Sequence, residues 1–213
     1  MISDAQRLFG VHYYDTQSPQ IFQSNLDQLY FFTTYIGKHR VVVEAGDSAY
    51  FFDAALQNAW VKRGPCEFES EHCTTVIRGY MHPDASCSLG GTTTLPYVNG
   101  CSTKQLFPPL RLGDPTLQYL HIPPFSKEQE HHIHSTVRVV LILKGEGISV
   151  VGLADKEFRH KLEPGVVCIF DPMSPHHFET PSDEPLVCLP LHIYSSVGGM
   201  EKNHPMFNGT IRI

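Results

Sequence analysis

The chain has 213 residues, 41% of them hydrophobic and 18% charged, which is enough for a buried core in one large domain or two small ones. The formal net charge is −6 and no Lys/Arg cluster stands out, so the basic face that nucleic-acid binding requires is missing. No run reaches the roughly 18 apolar residues of a membrane helix, and MISDAQRLFG lacks a basic head followed by an apolar core, so a cytoplasmic protein with no nucleic-acid or membrane partner is expected.

Gly and Pro, 16 of each, punctuate the chain. Two windows, 24–29 and 54–60, fit short helices. The remaining apolar runs are short and rich in β-branched and aromatic residues, which predicts strands at 29–36, 40–43, 74–80, 117–122, 137–143, 148–151, 166–170 and 186–194. Many short strands separated by turn residues point to an all-β sandwich or barrel. A Gly-, Thr- and Ser-rich passage over 84–104 divides the chain into a β-rich region at 1–100 and a second unit at 101–213. The six cysteines include no C-x-x-C pair; reduced thiols are expected, with Cys168 and Cys188 as small core residues.

The 13 histidines are clustered, in His131-His132-Ile133-His134 and in His176-His177. Alternate residues of a strand share a face. Extending the strand back through 130 places Glu130, His132, His134, Thr136, Arg138 and Val140 on one side. Ile133, Ser135, Val137, Val139 and Leu141 then take the other, with His131 turned away from its neighbours. Imidazoles at i and i+2 lie about 6–7 Å apart along the backbone, and their rings can converge on one ion through bonds of about 2.0–2.1 Å. A third ligand comes from the turn DPMSP, which presents His176 at the start of a new strand, with His177 as the alternative one residue on.

These residues resemble the cupin family. His132-x-His134, then three residues to position 138 and six more to Gly145, is similar to the first cupin motif. Gly165 followed by DPMSPHHF is similar to the second. The resemblance covers about residues 105–196 and implies a jelly-roll β-barrel. The β-rich N-terminal half is then either an extension or a degenerate second cupin unit. It further implies a homodimer and one divalent metal on His132, His134 and His176, with Fe(II) first and Zn, Ni or Mn as alternatives. The sequence departs from the family where Arg138 replaces a glutamate ligand, because a guanidinium has no lone pair to give a metal. Arg138 is either ion-paired, to Glu130 or Asp171, or a clamp for a substrate anion, and one role does not exclude the other. Glu130 and His192 (the latter with Tyr194 at i+2) are further site candidates. The expected function is a non-haem oxygenase acting on a small acidic substrate. The alternatives are a metal-dependent isomerase or lyase of a small acid or sugar, and a non-catalytic cupin that binds a small ligand.

Overall fold

The structure, a computed structural model, describes residues 4–24, 30–55, 57–90, 94–153 and 155–194. A short helix, α1 (Asp4–Phe9), leads into β1 (Val11–Asp15). Then come β2 (Gln20–Gln23), β3 (Phe32–Ile36), β4 (His39–Val43), β5 (Ser48–Asp53), β6 (Asn58–Arg63), β7 (Cys66–Ser70), β8 (Cys73–Ile77) and β9 (Ala85–Ser88). The second half holds β10 (Leu95–Pro96), β11 (Ser102–Phe107), β12 (Thr116–Ile122), β13 (Ser126–Lys127), β14 (Thr136–Lys144), β15 (Gly147–Leu153), β16 (Lys156–Leu162), β17 (Val166–Phe170), β18 (His176–Thr180) and β19 (Leu186–Tyr194). The all-β expectation holds, and no described helix is long and apolar enough to cross a membrane.

The strands form two sandwiches. In the N-terminal one, a six-stranded sheet (β2-β3-β8-β5-β6-β9) is accompanied by the β4-β7 pair. In the C-terminal one, a seven-stranded sheet (β1-β17-β14-β19-β12-β11-β10) is accompanied by a four-stranded one (β13-β18-β15-β16). β1 is first in the chain but pairs antiparallel with β17, so the C-terminal sheet contains a strand from the start of the sequence.

Side-chain alternation along β14 explains the layering. Val140 and Ile142 point into the C-terminal barrel and pack with Leu120, Ile122, Val151, Leu162, Cys168, Phe170, Phe178 and Cys188. Val137, Val139 and Leu141 point the other way and join Phe32, Ile36, Tyr50, Val61 and Ile77 of the N-terminal sheet. A third, smaller core of Val41, Val43, Ala49 and Val76 fills the N-terminal sandwich. The two large sheets thus lie face to face, and the centre of the seven-stranded sheet is buried on both sides. This accounts for the nearly unbroken apolar runs at 137–143 and 186–194.

One sequence expectation changes. In window 54–60 the described residues are a turn (54, 55 and 57) running into β6, where Ala59 and Val61 are buried and alternate with Trp60 and Lys62, a period of two and not of 3.6. Of window 24–29, residues 25–29 lie outside the described residues. The motif glycine Gly145 has φ +80, and a Cβ there would meet the carbonyl oxygen of Pro185 at 2.0 Å. Only glycine allows the β14–β15 turn to sit this close to the start of β19.

Ile169 is fully buried between the two large sheets. Ile169→Ala is expected to lower the unfolding free energy by about 2–5 kcal/mol, read by urea denaturation. A loss below about 1 kcal/mol would mean that the sheet-to-sheet layer is not a packed core.

Candidate metal centre

The strand carrying the histidines begins later than the alternation suggested. β14 starts at Thr136, and residues 131–135 are irregular apart from one isolated antiparallel bridge, His132 opposite His176. That bridge carries two backbone hydrogen bonds, His132 N–H to the His176 carbonyl at 3.1 Å and His176 N–H to the His132 carbonyl at 2.9 Å. Directly opposed residues of such a pair hold their side chains side by side. The third ring is placed by the turn between β17 and β18, where Met173 (φ +66) donates its N–H to the His134 carbonyl at 2.7 Å. The same turn is tied to the start of the chain. Asp171 N–H bonds the Gly10 carbonyl at 2.9 Å, and the Ser174 hydroxyl lies 2.5 Å from the Phe9 carbonyl.

The rings of His132, His134 and His176 have ligand atoms within 4.8 Å of one another. Among the described residues no other group of His, Cys, Asp and Glu is this compact. Backbone carbonyls set the tautomers. His176 Nδ1 donates to the Ser174 carbonyl (2.6 Å), and His132 Nδ1 to the Glu130 carbonyl (2.8 Å). Each Nε2 is left with its lone pair facing the cluster. The Nε2 atoms of His132 and His134 are 2.9 Å apart, and that of His176 is buried with no hydrogen-bond partner. Burial, followed by the charge of Arg138, keeps the rings neutral: His132 is pushed down to about 4, and His134 and His176 are lowered as well. Three neutral imidazoles gathered this closely suit a divalent cation, and an unpartnered buried Nε2 is what a ligand position requires.

His177 faces the other way from His176, as adjacent strand residues do. Its Nδ1 meets His131 Nδ1 at 2.8 Å, and its Nε2 meets Glu179 Oε1 at 3.0 Å. His131 also reaches the Gly152 carbonyl at 2.5 Å. Glu130 is not brought to the cluster: it lies before the strand, its side chain is 84% exposed, and it pairs with Lys127 at 2.7 Å. His192 stands opposite Arg138 in the β14–β19 register, with its ring 5.7 Å from that of His134. Burial, then Arg138, lowers it to about 3.

Arg138 is 3% exposed and points into the barrel, its guanidinium 5.3 Å from the centre of the Phe170 ring. Its carboxylate partner is neither Glu130 nor Asp171 but Glu128, equally buried, at 3.8 Å. Glu128 N–H bonds the Phe178 carbonyl, which draws the segment before β14 against β18 and turns this acid inward. Burial pushes the Glu128 carboxyl up against the pull of Arg138, and pushes Arg138 down. The pair is incompletely satisfied: Arg138 Nε and Nη2 and Glu128 Oε2 have no partners. Both residues line a cavity of about 720 Å³ that also touches Tyr97, Lys104, Gln118, His134 and His192. Sequence reasoning did not find Glu128, Lys104, Gln118 or Tyr97, all of which the fold brings to this cavity. The one available signal was that 128 has the same parity as 132 and 134.

Residues 118–194 match the family model described as the cupin domain. This segment is a cupin domain. Solved structures extend the likeness across both halves of the chain. Oxalate decarboxylase of Bacillus subtilis aligns at 9% identity and TM-score 0.52, over 87% of this chain and 78% of that one. The 7S globulin of Momordica charantia aligns at 11% identity and TM-score 0.53, over 85% of this chain and 84% of that one. A cupin 2 conserved barrel domain protein from Rhodopseudomonas palustris aligns at 22% identity and TM-score 0.39, over 48% of this chain and 66% of that protein's length. Among curated proteins none matches. At these identities the likeness is one of fold: the cupin barrel and the second β-rich unit packed against it.

Two outcomes follow from the geometry. His134→Ala and His176→Ala are expected to abolish stoichiometric divalent-metal uptake while His177→Ala retains it, as elemental analysis of dialysed protein reads. Uptake lost in His177→Ala and kept in His176→Ala would reverse the two roles. Glu128→Ala strands the buried charge of Arg138 and is expected to cost about 3–5 kcal/mol, with the Glu128→Leu/Arg138→Leu double variant recovering most of it in urea denaturation. Equal losses in the single and double variants would show that the two charges are not coupled.

Proposed function

We propose that this cupin is a metal-dependent enzyme acting on a small carboxylate, with O₂ as co-substrate. What supports the reading is one juxtaposition. Three neutral imidazoles, one of them (His176) with an unpartnered Nε2, share the barrel with a buried Arg138 whose Nε and Nη2 lack acceptors, and His134 and Arg138 line one cavity. When bound, a divalent ion such as Fe(II) supplies Lewis acidity and, if O₂ is used, reducing electrons.

The chain's own residues supply recognition. Arg138 offers a planar fork of N–H donors at the cavity floor, suited to the two oxygens of a carboxylate. Lys104 adds a second positive group on the cavity wall, and Gln118 a neutral hydrogen-bonding amide. With three neutral ligands and Arg138 where an acidic ligand stands in the family motif, the centre carries excess positive charge. An anionic substrate completes it. Phe170, Phe178 and Leu120 close the apolar wall behind and limit water.

A second reading is a metal-dependent lyase or isomerase of the same acid. Glu128 and His192 favour it: both line the cavity, and the Glu128 carboxyl, raised by burial, is poised to give or take a proton. Oxygen separates the two. Fe(II)-loaded protein given small mono- and dicarboxylates is expected to consume O₂ in step with substrate loss. Undiminished turnover under strict anaerobiosis would remove the oxygenase reading and leave the second. Arg138→Leu is expected to weaken carboxylate binding by about 10–100-fold with metal content unchanged. If metal is lost too, Arg138 is not a substrate clamp.

A further inference from the structure

One more side chain, neither histidine nor acid, reaches the cluster. Gln129 stands three residues before His132, and its side-chain amide lies 2.6 Å from His132 Nε2. Its Oε1 accepts from the Tyr97 hydroxyl at 3.2 Å, which anchors the amide at the edge of the cavity. His132 Nδ1 donates to the Glu130 carbonyl, so the ring has one lone pair, on Nε2, and the Gln129 NH₂ now donates to it.

A metal taking that lone pair removes the acceptor for the Gln129 NH₂ and sets a cation in front of two positively polarised hydrogens. Two atoms at right angles on an ion with bonds of about 2.0–2.1 Å are about 2.9 Å apart. The separation between the His132 and His134 Nε2 atoms is 2.9 Å, and the Gln129 amide stands at 2.6 Å from the first of them. Half a turn of the amide about its last torsion brings Oε1 into the place of Nε2, and the Tyr97 oxygen can accept from the NH₂ that arrives in exchange.

We infer that Gln129 Oε1 is a fourth ligand of the centre, a neutral oxygen donor supplied from the segment before β14 in place of a carboxylate at position 138. The inference rests on the metal reading above and deepens it. A carbonyl oxygen beside three imidazoles suits Mn(II) or Fe(II) better than a thiolate-seeking ion. It also leaves the full double charge of the metal facing Arg138 and an incoming anion.

Mn(II) titration with a chelator competitor, together with the Mn(II) EPR spectrum, tests this. The proteins are wild type, Gln129→Ala, Gln129→Glu and, as a control, His134→Ala. Gln129→Ala is expected to bind Mn(II) about tenfold more weakly and to change the EPR line pattern. Gln129→Glu, with a carboxylate oxygen in the same place, is expected to bind at least as tightly as wild type and to give a third pattern. An EPR pattern in Gln129→Ala identical to wild type, whatever its affinity, overturns the ligand assignment while leaving the three-histidine centre standing. If Gln129→Ala does not fold, a Gln129→Glu spectrum identical to wild type overturns it equally. A wild-type protein that binds Mn(II) no better than His134→Ala overturns both this inference and the metal reading.

Discussion

Two backbone hydrogen bonds between His132 and His176 hold the site together. Neither residue is held opposite the other by a continuous ladder, since the flanking residues on the His132 side are irregular. The bridge stands alone and still sets two of the three rings side by side. Its neighbours brace it from outside. The Glu128 N–H to Phe178 carbonyl bond lies on one flank, and the Met173 N–H to His134 carbonyl bond lies on the other. The whole segment from 128 to 134 is therefore stitched to β18 and the turn before it by main-chain bonds spaced along its length. Side-chain identity at 132, 134 and 176 then decides the chemistry without deciding the path of the chain.

Arg138 is the costliest choice in the barrel. A guanidinium in an apolar interior needs a partner, and the structure provides one carboxylate at 3.8 Å and an aromatic face, leaving two N–H groups without acceptors. A residue present only for stability would be better replaced by leucine, which would pack with Val140 and Ile142. Arg138 lines the same cavity as His134 and His192. That coincidence, and not the charge alone, is why the arginine reads as part of a binding surface.

How far the sequence could be read depended on what each residue had to satisfy. Strands 166–170 and 186–194 were legible to the residue because both of their faces are buried, so every position carries the signal. β16 was not: Lys156–Leu162 lies at the edge of its sheet, mostly exposed, and its charged side chains mimic a loop. The cluster of His132, His134 and His176 was legible because clustered imidazoles at that spacing have few other uses. The partner of Arg138 was not, because Glu128 sits among Lys127, Gln129 and Glu130, three polar residues of which none is buried. Only a backbone bond to a strand some fifty positions later turns that one acid inward, and linear order holds no trace of it. The strand assumed to run through His132 and His134 also failed here, since its alternation put Glu130 beside the ligands when it projects into solvent.

The placement of β1 has a consequence for folding. β1 comes first among the described strands, yet its partner β17 lies about 150 positions downstream, with the entire N-terminal sandwich between them. Topologically, that sandwich is a long insertion in the edge of the cupin sheet, anchored at both ends to the barrel on which it packs. Closing so large a loop is slow compared with local pairing. The turn that carries His176 is bonded to Phe9 and Gly10, so the arrangement of the histidine cluster is tied to a strand pairing that spans most of the described chain, and loosening β1 at the sheet edge would be felt at the rings.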